Sequence, residues 1–278
     1  YGEAAMDGSY VGYAPVFSAL GGLAHATGYP DGPPVEVSHP VDFFCGLVGV
    51  LGIVAGLHRL AATGRGCRID LSAREVVLWS LSDAMLAAQS VPTLRASASE
   101  GRLGNGHPEM APHGVYRCRG ENRWLSLAVG SDAQWQALCA CMGEDKLAAD
   151  ASLADARGRW LQRDRIDAAI EHWTCMHDDQ PLAARLQAAG VAAFASVTPQ
   201  DLWDDPHLRA RGVFEYRQAG RQGRWHVAPP WRLRGAPRTP LRTVNGGEAF
   251  DAVFAGLLQK KPHEIQSLLA EGVIARRH

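Results

Sequence analysis

The stretch HPVDFFCGLVGVLGIVAG, residues 39–56, places one carboxylate, Asp42, directly before fifteen uncharged residues at positions 43–57. This run is apolar on every side of a helix, includes four glycines, and is followed by His58 and Arg59. It is shorter than the roughly 20 residues that a membrane span needs. We therefore expect a helix buried all round in a protein core, with the glycines allowing neighbouring backbones to approach.

Asp42 has two interpretations. Aspartate is among the best helix N-caps, and considered alone the residue is best explained as a cap. The same position also suits a nucleophile, because a helix N-terminus fixes a carboxylate and favours its ionised form through the helix dipole and free N–H groups. An ionised, oriented carboxylate can attack a carbonyl carbon, so the local sequence leaves both interpretations open.

The composition is that of a globular protein of about two domains. Its 278 residues include 28 Lys and Arg against 29 Asp and Glu, and this balance provides no basic surface for nucleic acid. The six cysteines form no CxxC pair and none lies with a histidine at zinc-site spacing. We expect reduced thiols, no metal site and a cytoplasmic protein.

Helices and strands alternate along the chain, which is typical of an α/β fold. Expected helices lie at 13–28, from the cap Asp42 to about the glycines at 64 and 66, at 73–89, 131–143, 163–176, 181–189 and 262–274. Expected strands are 67–72, a hairpin within 114–130, then 191–197, 213–218 and 224–229. Ser72 and Glu75 form a candidate capping box for the helix that follows them.

A stretch rich in Gly, Pro and Ser, residues 90–113, interrupts this alternation. Within it, Gly101, Gly104 and Gly106 lie close together in GRLGNGHP. The stretch is either a flexible linker or a lid, because without Cβ atoms its backbone N–H groups could reach a developing oxyanion while the loop excludes water.

Taken together, these stretches resemble the family III CoA-transferases, the CaiB/BaiF group. The most specific segments are DGPP at 31–34, the Asp-led Gly-rich helix, TGRG at 63–66, RLGN.HP..AP at 102–112 and DPHLRARG at 205–212. They occur in the family's order over essentially the whole chain. Relative to that family the chain lacks the usual N-terminal portion, so no CoA-binding residue is assigned.

The resemblance implies a Rossmann-like large domain and a smaller α/β domain joined by linkers, in a dimer of interlocked chains. Residues 1–95 would be the later part of the large domain and 96–111 the Gly-rich linker. Residues 112–212 would form the small domain, and 213–278 a linker that returns to the large one.

The resemblance also implies an activity. Asp42 would be the nucleophile that moves CoA from an acyl-CoA to a carboxylic acid, Gly101, Gly104 and Gly106 would form the lid, and Tyr13 would line the substrate pocket. CoA enters as a thioester substrate, with no tightly bound cofactor and no metal. We expect a homodimer or heterodimer, with neither nucleic acid nor membrane as partner. Ala14 departs from the family, since many members have Asp there.

Two alternatives remain. An acyl-CoA racemase of the same fold moves a proton with a His and Asp pair, but no histidine stands near Gly12 and Tyr13, where one would be needed. A non-catalytic subunit of a hetero-oligomeric CoA-transferase is favoured by the missing N-terminal portion. The presence of Asp42 and the glycine cluster argues against that second alternative.

Overall fold

The computed structural model describes residues 1–3, 6, 8–90, 102–107, 109–219, 222–235 and 248–275. The chain forms two compact units, residues 1–196 and 197–278. Both contain helices and small antiparallel sheets, which confirms a mixed α/β protein. The candidate residues of the sequence analysis all belong to the first unit.

The first unit begins with five helices: α1 Ala14–Leu20, α2 Leu23–Ala26, α3 Ser38–Thr63, α4 Ala73–Ser80 and α5 Ser82–Ser90. Helix α3 tolerates Pro40 because proline in a first turn removes no helical hydrogen bond. It ends at Gly64, whose φ of 68° is left-handed and whose N–H bonds to the Leu60 carbonyl, as the sequence predicts. The Ser72 side chain caps α4 by accepting from the Glu75 N–H.

The expectation that α3 is buried on every side is wrong. Among the α3 side chains that the structure describes, only Val41 is buried, whereas Phe43 is 73% and Leu47 68% exposed. The reason is that α1 and α4 pack against this helix, and they cover only a small part of an apolar surface that runs all the way round it. By length and composition alone, His39–Thr63 could also cross a membrane, a property shared by core helices of soluble proteins.

The expected strand at 67–72 is also wrong. These residues pair with no strand within the described part of the chain. They instead pack along α3, where a Cβ added to Gly52 would lie 3.3 Å from Ile69 and one added to Gly56 3.2 Å from Cys67. Two of the helix glycines therefore leave room for side chains of this extended segment. The predicted approach of a neighbouring backbone is not seen among the described residues, and nothing lies within 4 Å of a Cβ placed on Gly46 or Gly49.

The rest of the first unit surrounds a three-stranded antiparallel sheet in the order β1 His113–Arg117, β2 Trp124–Ala128 and β3 Ala192–Ala195. Five α-helices and a short 3₁₀ helix, Ala151–Leu153, lie between β2 and β3. The α-helices are α6 Asp132–Met142, α7 Asp145–Ala148, α8 Ala156–Leu161, α9 Arg163–Thr174 and α10 Asp179–Ala188. The predicted hairpin and the helices at 131–143, 163–176 and 181–189 are confirmed. One contiguous apolar core, including Leu125, Trp135 and Ile170, joins the sheet to these helices.

The second unit has α11 Pro199–Asp204, α12 Pro206–Ala210, a hairpin of β4 Phe214–Ala219 and β5 Gln222–Val227, α13 Glu248–Asp251, a π-helical turn Ala252–Leu257 and α14 Pro262–Ala270. Thr198 and Asp201 form a reciprocal capping box at the start of α11. The predicted strands at 213–218 and 224–229 and the final helix are confirmed.

Candidate active site

Asp42 is not a helix cap. The N-cap of α3 is Val37, which makes no side-chain capping bond, and Asp42 is the fifth helical residue. The interpretation as a cap is therefore wrong. The free N–H groups that were expected to favour the ionised Asp42 carboxylate belong to the first turn of α3, and Asp42 lies beyond that turn. Within the described residues the exposed Asp42 carboxylate has no hydrogen bond or ion pair.

The backbone beside Asp42 is held by a small apolar cluster. Val41 is fully buried with Ala14 of α1 and Val77 of α4, and Cys45 packs against them one turn further along α3. Partial burial, and secondarily the negative charge of Asp42, raise the pKa of the Cys45 thiol above its ordinary value. Asp42 thus lies at the edge of a packed patch, with its side chain in solvent.

Tyr13 is next in sequence to another member of the same cluster, Ala14. It occupies the N-cap position of α1, is 76% exposed, and directly precedes the buried Ala14. Tyr13 and Asp42 are therefore each adjacent to a member of one cluster. An open cavity of about 650 Å³ also lies at α1. Its lining includes Tyr10 and Leu20 but neither Tyr13 nor Asp42.

The glycine cluster docks on the turn that leads into α3. Gly104 N–H donates to the Gly28 carbonyl at 2.9 Å, and Asn105 Nδ2 donates to the Tyr29 hydroxyl at 3.0 Å. The Gly106 N–H donates to the Leu103 carbonyl at 2.9 Å. In this arrangement neither glycine N–H group is available to an oxyanion. A lid that donates these N–H groups to a substrate would first have to break their hydrogen bonds to the Gly28 and Leu103 carbonyls. Gly101 lies outside the described residues.

Aromatic rings explain why glycine stands at two of these positions. Gly104 has a left-handed φ of 58°, and a Cβ there would lie 2.6 Å from a ring carbon of Tyr29. A Cβ on Gly106 would lie 2.9 Å from the Trp160 ring. Real Cβ atoms do not approach ring carbons this closely, so both glycines are needed for the loop to lie against its neighbours.

Below the loop lies a cavity of about 390 Å³, whose walls include Tyr29, Asn105, Trp160 and Arg163. At its base the Tyr116 hydroxyl donates to Asp167 Oδ1 at 2.7 Å. Burial, together with the neighbouring Asp167, raises the pKa of Tyr116, and burial is also the main cause that raises the pKa of Asp167.

Sequence reasoning missed the residues that fix this loop. Arg102 donates from Nε to the Tyr29 carbonyl at 3.1 Å and from its terminal nitrogens to the carbonyls of Gly32 and, at 3.5 Å, His25. The far end is held by Arg159, whose Nε donates to the Ala111 carbonyl at 2.7 Å. The arginine inside the RLGN motif is the signal that could have identified Arg102, whereas Arg159 lies 48 positions from Ala111 and no local pattern points to it.

No group of three or more metal-ligating side chains occurs in the described portion of the protein. All six cysteines carry free thiols. The region presents the exposed Asp42 carboxylate, the exposed Tyr13 and a loop whose described glycine amides are hydrogen-bonded within the chain.

The model for CoA-transferase family III matches residues 1–244 of the chain. The chain belongs to this family. A succinyl-CoA:mesaconate CoA-transferase of Haloarcula marismortui is 31% identical over 215 residues, covering 77% of the chain and 52% of the relative. The alpha subunit of a succinyl-CoA–L-malate CoA-transferase of Chloroflexus aurantiacus is 27% identical over 280 residues, covering 99% of the chain and 64% of the relative.

Solved structures agree with this family membership. A CaiB/BaiF family protein from Brucella suis superposes with a TM-score of 0.76 at 27% identity, over 92% of the chain and 66% of that protein. A Mycobacterium tuberculosis protein, Rv3272, superposes with a TM-score of 0.68 at 19% identity and shows the fold alone. The chain spans about half the length of several of the curated relatives it matches. The family predicted from the sequence motifs is confirmed.

Proposed function

We propose that this chain contributes the nucleophile, Asp42, to a CoA-transferase that moves CoA from an acyl-CoA to a carboxylic acid. The observation that supports this most directly is the setting of Asp42: an exposed carboxylate without a described partner, on a backbone fixed by the Val41 cluster. Family membership over residues 1–244 supports CoA transfer as the reaction type.

The proposed reaction divides one exchange into four acyl transfers. Asp42 attacks the thioester carbonyl, the C–S bond breaks, and CoA thiolate leaves a mixed anhydride. The thiolate then attacks the aspartyl carbonyl of that anhydride, forming an aspartyl-CoA thioester and releasing the first acid. An incoming carboxylate attacks this thioester and displaces CoA thiolate, giving a second anhydride. Attack of the thiolate on its acyl carbonyl yields the new acyl-CoA and free Asp42.

This mechanism needs a carboxylate that is positioned but not neutralised. The buried Val41 fixes the start of α3 without occupying the Asp42 oxygens, and the loop at 102–107 packs on the turn that precedes this helix. In the proposal, Tyr13 lines the acyl pocket, and Gly101, Gly104 and Gly106 belong to the lid. CoA thioester is the substrate, and the chemistry requires no metal and no tightly bound cofactor.

We further propose that the protein works in the cytoplasm as a homodimer or heterodimer. The exposed apolar surface of α3 is larger than the described neighbours cover, and a relative that aligns with 99% of the chain is named an alpha subunit. In this proposal α3 is the central helix of a soluble enzyme, which fits the charged Arg59 within its length.

The test is trapping of the aspartyl-CoA thioester in the full-length protein that contains this chain. After incubation with an acyl-CoA, hydroxylamine should convert Asp42 to a hydroxamate that peptide mass spectrometry locates. Asp42→Asn should abolish both the adduct and CoA transfer. Asp83→Asn, which changes another exposed aspartate near a helix start, should alter neither. Full transferase activity in Asp42→Asn would refute the proposal.

A further inference from the structure

The segment between the glycine-rich loop and β1 carries two histidines whose rings lie next to each other. The ring centroids of His107 and His113 are 5.6 Å apart, and the two ring planes are inclined by 37°. Each ring also makes a hydrogen bond to the backbone of the same segment, His107 to the N–H group of Glu109 and His113 to the carbonyl of Asn105. Both histidines are partly buried, so the charge of one ring is felt by the other.

The backbone partners determine where the proton lies on each neutral ring. The Glu109 N–H group donates to His107 Nδ1 at 3.1 Å, so this nitrogen is an acceptor and the ring proton is on Nε2. The Asn105 carbonyl can only accept, and it lies 2.6 Å from His113 Nδ1, so this nitrogen carries the proton and Nε2 has the lone pair. When both rings are neutral, the two histidines are therefore opposite tautomers.

The two rings respond differently to a falling pH, since histidine ordinarily gains its charge between pH 8 and pH 5. A proton added to His113 goes to Nε2 and leaves the bond to Asn105 in place, now from a charged donor. A proton added to His107 must go to Nδ1, which then meets the Glu109 N–H group as a second donor, so that hydrogen bond is lost. A charge already on His113 opposes this second step, and His113 is therefore the first ring to take a proton.

Other titratable groups surround the pair. His113 lines the cavity of about 390 Å³, whose other titratable side chains are Tyr29, Tyr116, Arg163, Asp164, Asp167 and Glu171. It also lines a second cavity of about 430 Å³, whose lining adds no further titratable group. Beside His107, the Glu109 carboxylate is exposed and screened by water. Within the described residues, both rings bond to backbone groups rather than to these side chains, so the backbone bonds decide how each ring responds.

We propose that His107 and His113 form a pH-responsive pair that holds Asn105 and Glu109 at neutral pH and releases Glu109 when the second ring becomes charged. The first proton strengthens the bond from His113 to Asn105, and the second breaks the bond between Glu109 and His107. Asn105 lines both cavities beside His113, so the state of the pair acts on a segment that borders both. This inference is independent of the proposed function, because it concerns the hydrogen bonds of the segment and not the reaction at Asp42.

The experiment measures hydrogen exchange of the Glu109 amide in the full-length protein at pH 8 and pH 5, expressed as protection relative to the intrinsic rate at each pH. Loss of one hydrogen bond changes a local opening equilibrium by about fivefold, so protection should fall by about fivefold at pH 5. In His107→Asn the side-chain oxygen can still accept from the Glu109 N–H group but takes up no proton, so protection should be equal at both pH values. In His107→Leu it should be low at both.

The matched control is His172→Asn, which replaces an exposed histidine on α9 and should leave the pH response intact. Ring ¹⁵N chemical shifts give an independent readout, because at pH 8 they should report a proton on Nε2 of His107 and on Nδ1 of His113. The same tautomer on both rings, or an unchanged pH response in His107→Asn, overturns the proposal. Loss of protection at pH 5 that extends through β1 and β2 would be acid unfolding of the whole unit and overturns a local switch as well.

Discussion

Replacement of Arg159 by methionine should destabilise the first compact unit strongly. The Arg159 side chain is fully buried, yet it makes three hydrogen bonds: Nε to Ala111 O at 2.7 Å, Nη1 to Leu153 O at 3.0 Å and Nη2 to Asp132 Oδ1 at 2.8 Å. It also lies over the Trp135 ring, with Cζ 5.7 Å from the ring centroid. Methionine fills much of the same volume but can donate none of these bonds.

The expected magnitude follows from the acceptors that are left behind. Ala111 and Leu153 are buried, so each carbonyl loses its partner without gaining water, at about 1–3 kcal/mol each. Asp132 is different, because its side chain is 66% exposed and water replaces the arginine. We therefore expect the free energy of unfolding to fall by about 2–6 kcal/mol, nearly all of it from the two backbone carbonyls.

The assay is the opening free energy of the slowest-exchanging amides of β1 and β2, which reports on the sheet that Arg159 supports. Asp132→Asn should have a much smaller effect, because it keeps an acceptor at an exposed position. The exposed Arg157→Met should change the same free energy by less than about 0.5 kcal/mol. A loss below about 1 kcal/mol in Arg159→Met would contradict the view that unsatisfied carbonyls dominate the effect.

Three further changes test the site itself. Gly104→Ala should accelerate hydrogen exchange of residues 102–107, because its Cβ would lie 2.6 Å from Tyr29 at a φ of 58°; unchanged exchange would contradict the close packing. Burial raises the pKa of Asp167, so its contribution to stability is largest at acid pH and is lost as the pH rises through that pKa; Asp167→Asn should therefore flatten the rise in unfolding midpoint on acidification, and an unaltered pH profile would contradict this. Asp42→Asn should speed alkylation of the Cys45 thiol near neutral pH, because it removes a charge that raises the Cys45 pKa; an equal rate in both proteins would count against the proximity of the two groups.

The sequence predicts local structure well wherever a short-range signal determines it. Gly64 ends α3 in the left-handed conformation, Ser72 caps the helix that follows it, and the hairpin of β1 and β2 forms where the sequence predicts it. The helix ends depend on contacts within about four residues, and the hairpin depends on pairs no more than 15 positions apart. The family could likewise be predicted, because its motifs are contiguous segments in a fixed order.

Features that depend on distant partners could not be predicted. Residues 67–72 alternate like a strand, but a strand requires hydrogen bonds to a neighbour, and within the described residues this segment has none. The contacts of Arg102 are 70 or more positions away in sequence, and no local pattern specifies them. An apolar composition likewise indicates that α3 can be buried, but the amount of burial depends on which other segments pack against it.

For Asp42 the structure excludes one of the two roles that the sequence leaves open, that of a helix cap, and leaves the role of a nucleophile as a proposal. From the sequence, capping and nucleophilicity favour the same residue, because both require a carboxylate at a helix start. In the structure α3 begins five residues earlier than a helix capped by Asp42 would, so Val37 takes the cap position and Asp42 has no structural hydrogen bond within the described residues. A carboxylate that neither caps the helix nor pairs with a cation contributes little to the stability of the fold. The Asp42 oxygens have no other partner within the described residues, as the proposed reaction requires, and the trapping experiment at Asp42 tests that role directly.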